Sequence, residues 1–492
     1  MNGTNKQNMV GLAKDTAIYG LSTVLTKFLN YLLLPLCTHI FDKTAEYGTV
    51  TKFYAWTALL IVVLTYGMET GFFRFISQEE SPQSVYKTSY FTLLLSSTIF
   101  AGACLALQQP ISACLGYADH CEYVAMMAVV VAMDAFSSIP FAYLRYQKCS
   151  ILFCLIKQLY VILSLGLNIL FLLVLRWQDI KYVFLSNVLA SSIQTICLVG
   201  FTLPHGGKYS LKILTKMLKY SFPLLLMGIA GIMNQTLDRL LFTSLYPGTD
   251  GEAQLGIYGA CFKVAMVMLV FTQAFRFAYE PLIFAKHKEK NNLGIYADAM
   301  KYYIIFAYLI LLGVIFYLDL LKYIIGRSYW EGLKIVPIVL WTYVFQGIYF
   351  NLGIWYKLTD KTKWGAYLSI IGLAITLVLQ IWGVPRFGYW ASCGSGLICF
   401  FILMIISYFC EHKHMHIPYD LKNMGLYTLL TLLLLGIYYM IQVLTGWIDW
   451  RMMGVGTILL GVFIAVMCKK DVPISAIFHA TEAVCRSKNN KW

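Results

Sequence analysis

The residues that could do chemistry in this sequence are charges placed inside hydrocarbon. Lys27 (in "VLTKFLN"), Lys52, Arg239, Lys263 and Arg276 all fall within long apolar runs, as do Glu69, Asp134, Asp238 and Glu280. A charge at the centre of a membrane span costs roughly 2.5–3.5 kcal/mol on insertion scales. Such residues therefore face a bundle interior or a wet cavity, and they mark substrate or ion pathways. The five cations outnumber the three acids of the same runs, Glu69, Asp238 and Glu280. That excess favours an anionic cargo, because lysine holds phosphate as a point charge and arginine as a planar fork.

The local patterns sharpen this reading. Tyr19, Thr23, Lys27, Asn30 and Tyr31 recur every three or four residues and so share one helical face. Lys27 lies about 21 Å along its helix from the inner end, near the midplane of a tilted span. Cavity lining, snorkelling and a packing ion pair are its three readings. In "GIAGIMNQTLDRLLF", Asn234 and Asp238 are four apart, as are Gln235 and Arg239. Asp238 and Arg239 are adjacent, about 100° apart around a helix, which argues against a simple facing pair. Arg276 and Glu280 stand at i, i+4 and can pair as a gate or a bridge, with Pro281 just after. Glu69 sits near Arg74, and Asp134 is central in "AMDAFSSIP". Glu69, Asp134 and Glu280 are the candidates for coupling or gating. Lys27, Asn30, Lys52, Asp238, Arg239, Lys263 and Arg276 are the candidates for substrate binding.

The elements that position these residues must be membrane helices. The chain has 492 residues, 59% hydrophobic and 13% charged, with a mean hydropathy of +0.68. Soluble domains carry about 25% charged residues. A span takes about 20 mostly apolar residues. Fourteen segments qualify: 13–39, 47–73, 88–108, 122–143, 151–175, 182–203, 219–244, 255–281, 299–320, 335–356, 364–384, 388–410, 423–444 and 452–468. With both termini cytoplasmic, 25 of the 38 Lys and Arg residues fall in internal segments and 8 in external ones. The five buried cations make up the remainder. This asymmetry obeys the positive-inside rule and explains a net charge of +14 without nucleic acid.

"AEYGTVTKFYAW" from Ala45 and "AQLGIYGACFKV" from Ala253 resemble each other at an offset of 208. The expected fold is an all-α integral membrane protein of about 14 transmembrane helices, in two pseudo-symmetric six-helix lobes plus two C-terminal helices. Residues 1–210 form the first lobe, 211–415 the second, 416–470 the appended spans and 471–492 a basic cytoplasmic tail. The repeat is parallel, with its axis along the membrane normal. The five cations then sit on spans 1, 2, 7 and 8, the first two of each lobe, around a central cavity.

Several classes are disfavoured. The 13 cysteines lie mostly in apolar runs and do not form a disulfide framework. The histidines of "EHKHMHIPYD" read as a solvated loop, and no metal is expected. No Walker, Gly-x-Ser-x-Gly or His-Glu-x-x-His motif is present. The N-terminus lacks a small-residue cleavage site, so the first span is expected to serve as its own insertion signal.

Three stretches carry a family resemblance. "YGLSTVLTKFLNYLLLPLCTHIFDKTAEYGTVTKFYAW" resembles the opening of bacterial polysaccharide-biosynthesis flippases of the multidrug/oligosaccharidyl-lipid/polysaccharide exporter superfamily. "IPFAYLRYQKCSILFCLIK", with "LNILFLLVLRWQDIKYVFLSN", resembles their span 4 to span 6 region. "NLGIWYKLTDKTKWGAYLSIIGLAITLVLQIWGVPRFGYWAS" resembles their span 10 to span 12 region. The likeness covers roughly residues 10 to 415, with Gln380 standing where the pattern leads one to expect asparagine. It implies a flippase that moves undecaprenyl-diphosphate-linked oligosaccharide across the bacterial inner membrane by alternating access, with Lys27, Lys52 and Arg239 best matching the substrate-facing basic positions. Membrane lipids and polysaccharide polymerase machinery are the implied partners. No cofactor is implied, and a proton or sodium gradient is the candidate drive. An ion-coupled drug exporter of the same fold and a membrane polymerase or ligase are the alternatives. The first would want an acid-rich cavity. The second would need a sizeable external loop, and none is evident.

Overall fold

The computed structural model describes residues 20–471 except 21, 23, 24, 27, 28, 30, 42, 78–80, 287–292, 360, 362, 448 and 449, and it does not describe the side chains of 278, 280–286 and 357. Lys27 and Asn30, and the side chain of Glu280, therefore lie outside the described residues, as does the tail after 471.

Helices account for nearly all of the described chain, and no strand is found among the described residues. In chain order they are α1 (Leu33–Ile40), α2 (Thr44–Thr65), α3 (Met68–Ile76), α4 (Pro82–Ala106), α5 (Gln108–Leu115), α6 (Cys121–Tyr146), α7 (Ser150–Ile169), α8 (Ile180–Thr202) and α9 (Leu211–Leu240). They continue as α10 (Gly251–Val264), α11 (Met266–Lys286), α12 (Leu293–Phe316), α13 (Val336–Leu352), α14 (Lys363–Phe387), α15 (Tyr389–His414), α16 (Leu421–Thr445) and α17 (Trp450–Lys470). Among the described residues, twelve helical segments are long and apolar enough to cross a membrane. The bent pair α10–α11, with a 44° break, makes a thirteenth. These match the expected spans 2 to 14, while most of the first lies outside the described residues.

Helix starts follow the local chemistry. Ser81 accepts a hydrogen bond from the Ser84 N–H ahead of α4, with Pro82 at the first helical position. Ser210 caps α9 and Asp420 caps α16 in the same way. α9 begins eight residues before its expected start at 219, because the basic stretch 211–218 is helical too, beyond the apolar run. α5 occupies what reads in the sequence as an external loop.

The second span is broken where the sequence reads as continuous. Tyr66 (φ 37°) and Gly67 (φ 70°) adopt left-handed backbone between α2 and α3. A tyrosine there is strained and must be held by its surroundings. The Ser221 hydroxyl of α9 donates to the Gly67 carbonyl at 3.1 Å. A Cβ at Gly71 would lie 2.7 Å from the same hydroxyl oxygen. The break is thus stitched to the first long helix of the second half.

The halves meet most closely where α2 crosses α10. A Cβ at Gly48 would stand 1.9 Å from the Glu252 carbonyl oxygen, and one at Gly256 would stand 1.9 Å from that of Thr44. Both pairs are related by the 208-residue offset seen in the sequence. In lipid no hydrophobic force separates helix from solvent, so small residues that admit backbone to backbone dominate such crossings. α16 and α17 pack on α12, where Asp471 accepts from Lys301 at 3.0 Å and from Tyr427 at 2.7 Å.

Candidate functional site

A cavity of about 180 Å³ with a few convergent polar groups lies among α9, α10, α13, α14 and α15. α9 supplies its charged wall. Asn234 accepts from the Thr376 hydroxyl of α14 at 2.9 Å and from the Cys399 thiol of α15 at 3.5 Å. One turn on, the Asp238 carboxylate accepts from the Tyr258 hydroxyl of α10 and, at 3.4 Å, from Arg239 Nε. Although neighbours in sequence, Asp238 and Arg239 do meet, contrary to the expectation from their helical angle. The long arginine stem folds back, and its guanidinium also donates to the Gln235 carbonyl at 2.6 Å. The guanidinium lies 4.6 Å from the centre of the Phe262 ring. Donors remain on its five-donor fork.

The far wall carries unmet hydrogen-bonding groups. The Tyr343 hydroxyl and the Gln346 Oε1 are buried and have no hydrogen-bond partner among the described residues. A buried polar atom left unpaired costs about 1–3 kcal/mol, so this wall suits a polar group rather than hydrocarbon. Gln380 bridges α14 to α15, donating to Ser395 at 2.8 Å and accepting from Ser392 at 3.1 Å. The amide that departs from the family pattern therefore fastens the helices behind the cavity.

The other described candidate cations, Lys52, Lys263 and Arg276, do not line this pocket. Lys52 is buried in the N-terminal half of α2, donates to the Leu115 carbonyl at 3.1 Å and lies 4.8 Å from the Tyr117 ring. Beside it, Thr49 donates to the Glu252 carboxylate at 3.4 Å across the α2–α10 crossing. Burial and that carboxylate push the Tyr117 hydroxyl well above its ordinary range. Lys263 lies 5.3 Å from the Tyr47 ring, within electrostatic reach of Arg239. Arg276 lies 4.8 Å from the Phe350 ring.

The acids on the other half are also placed. Glu69 pairs with Arg145 of α6 rather than with Arg74, whose guanidinium sits 4.1 Å from the Tyr220 ring of α9. Asp134 accepts from the Ser191 hydroxyl at 3.0 Å. Within its electrostatic reach lies Lys157, over the Phe141 ring at 4.1 Å. Lys157 is among the 25 cations counted as internal although it falls within the expected span 151–175, and the structure sets it inside α7. Lys157, Tyr160, Ser164 and Asn168 recur every three or four residues, a stripe the sequence already contains. Asn187 ties this stripe to α2: it donates to the Tyr54 hydroxyl at 2.6 Å and accepts from Ser164 at 3.2 Å and from Tyr160 at 3.4 Å.

Residues 12–285, more than half of the chain, match the family model described as "Polysaccharide biosynthesis protein". The chain belongs to that family. This protein is a multi-pass membrane protein whose fold is shared by solved structures of a flippase and of transporters. Among solved structures it is similar to a lipid II flippase MurJ in an inward closed conformation, with TM-score 0.73 and 14% identity over 92% of this chain and 98% of that one. It is also similar to an inward-facing multidrug resistance MATE family transporter of the MOP superfamily, with TM-score 0.65 and 13% identity over 81% and 97%. A MOP superfamily transporter from Pyrococcus furiosus, described as having a binding pocket of reverse polarity, matches with TM-score 0.55 and 13% identity over 82% and 94%. No curated protein sequence matches the chain.

Proposed function

We propose that this protein is an inner-membrane flippase that moves undecaprenyl-diphosphate-linked oligosaccharide repeat units from the cytoplasmic to the periplasmic leaflet, for O-antigen, capsule or exopolysaccharide synthesis. The observation that carries the reading is the Arg239 fork, which keeps spare donors in a cavity whose Tyr343 and Gln346 groups have no hydrogen-bond partner among the described residues. Lys263 adds a second positive charge nearby. Together these favour a diphosphate or an acidic sugar over a cationic drug. Lys27, Asn30 and Lys52 are assigned to the same substrate path, with Lys52 reached once the outer crossing parts. Arg276 lies nearer the inner entry.

Transport follows rocking of the two lobes about the α2–α10 crossing. Asp134, on a chain of hydroxyls and amides with Lys157 beside it, is the group proposed to carry a coupling proton, with sodium as the alternative ion. Glu69 and Glu280 serve as inner gating groups. The chain performs no covalent chemistry of its own in this reading and hands its cargo to a polymerase.

Deletion followed by leaflet-resolved analysis of lipid-linked glycans tests the proposal. Repeat units retained on the cytoplasmic leaflet are expected. Accumulation on the outer leaflet would instead assign the chain to polymerisation. Lys27→Ala, stably inserted, is expected to reduce export.

A further inference from the structure

A second cleft opens on the end of the molecule that loop charge assigns to the periplasm. It has a volume of about 660 Å³, within the range of small-molecule sites. Its walls come from the turn before α10, the 3-10 segment Arg327–Ile335 and the tight turn between α14 and α15. The side chains that matter are Tyr246, Gln254, Glu331, Phe387, Tyr389 and Trp390.

The aromatic faces are fixed in place. Tyr246 stacks on the fully buried Phe242, with ring centres 5.5 Å apart and planes at 14°. Its edges abut two glycine turns: a Cβ would lie 2.5 Å from the ring at Gly248 and 3.3 Å from it at Gly388, whose φ is +55°. Tyr389 is buried and stacks against Trp390 at 6.0 Å and 23°. Trp390 and Phe387 are 42% and 57% exposed, so flat apolar faces stand open within a polar rim.

That rim is acidic and amidic. Gln254 donates to the Asp250 carboxylate at 3.1 Å, with the Tyr246 hydroxyl beside the same acid. Glu331 is exposed next to the Tyr389 hydroxyl. The rim's cation, Arg386, is turned along its own helix: it donates to the Trp382 carbonyl at 2.8 Å and lies 4.7 Å from the Trp382 ring. The rim thus carries two carboxylates and one guanidinium bonded back to its own helix, a balance that disfavours a phosphate headgroup or an acidic sugar. Aromatic rings at a membrane surface commonly serve as interfacial anchors. Anchors facing headgroup phosphate would not be ringed by carboxylates.

We infer that this cleft binds a neutral or amino sugar residue, whose hydroxyls pair with Glu331 and Gln254 and whose C–H face lies on Trp390 and Phe387. The inference rests on the transport reading above in taking the emerging glycan as the source of that sugar. It separates two recognitions by charge: diphosphate in the basic interior, and uncharged or cationic sugar on the acidic outer rim.

The test uses the purified full chain in nanodiscs and saturation-transfer NMR with free glucose, N-acetylglucosamine, galactosamine and glucuronate. Binding of at least one neutral or amino sugar is expected, with glucuronate excluded. Trp390→Ala and Glu331→Gln, both at exposed positions, should each weaken binding about tenfold. Trp450→Ala, at an exposed aromatic position outside the cleft, should leave it unchanged. No sugar binding, glucuronate bound best, or binding unaffected by both cleft variants would overturn the inference. The transport reading is judged separately: retained inner-leaflet glycan in the deletion strain upholds it even if the cleft proves empty. Sugar binding alongside normal export in that strain removes transport and leaves the cleft.

Discussion

Adding one methyl group at Gly48 is the sharpest perturbation the structure offers. The new Cβ would lie 1.9 Å from the Glu252 carbonyl oxygen, whereas Cβ contacts below 3.0 Å essentially do not occur. Both partners are helical backbone, so α2 and α10 must separate by about 1.1 Å or more, an overpacking that costs roughly 1–3 kcal/mol. That cost falls only on the conformation in which the outer crossing is closed. It therefore moves the closed-to-open equilibrium toward the outward-open form by about 5- to 150-fold. The assay is labelling of a single cysteine, Thr51→Cys, with a membrane-impermeant maleimide in a background free of other cysteines. Thr51 is buried in the crossing, against Gly259. Gly48→Ala should accelerate labelling by the same 5- to 150-fold. Gly256→Ala should do likewise, since its Cβ would meet the Thr44 carbonyl at 1.9 Å. Gly102→Ala, which meets nothing within 4 Å, should not. Unchanged labelling in correctly inserted Gly48→Ala protein would refute the crossing as the outer closure.

Other outcomes follow from the same contacts. Arg239→Lys should export no better than Arg239→Ala, because a single ammonium cannot both hold Asp238 and offer a fork; full rescue in a glycan-export assay would show that charge alone suffices. Asp134→Asn should abolish the dependence of export on an imposed proton gradient while leaving binding of lipid-linked glycan intact, and a retained gradient response would remove Asp134 from coupling. Burial opposes ionisation of Asp471, but Tyr427 and Lys301 outweigh it and hold this carboxyl below the usual carboxylate range. With the folded value depressed, its stabilisation is present above the unfolded carboxylate range and lost as pH falls through the folded value. Asp471→Asn should therefore lower the Tm of detergent-solubilised protein at neutral pH, and the gap to wild type should close on acidification.

The membrane spans were legible because lipid imposes a length of apolar sequence that nothing else in the chain imitates. The 208-residue offset was legible because the crossing of α2 and α10 tolerates so few residue types. What escaped were features settled by neighbours far away in sequence. Glu69 could reach Arg74 on its own helix, yet Arg145 on α6 takes it. The break at Tyr66–Gly67 lacks a proline and depends on Ser221, about 150 residues on. Lys157 hid in a tally of loop charge, although its three- and four-residue spacing with Tyr160 and Ser164 was there to read. The outer cleft joins three turns that sequence order keeps apart.

The reciprocity at Gly48 and Gly256 has the geometry of an isologous interface, in which residue i of one partner meets j of the other and j meets i. It is the contact that two identical six-helix proteins would make in a parallel dimer. An alanine at either glycine meets the same obstacle from opposite sides, so Gly48→Ala and Gly256→Ala report on one contact.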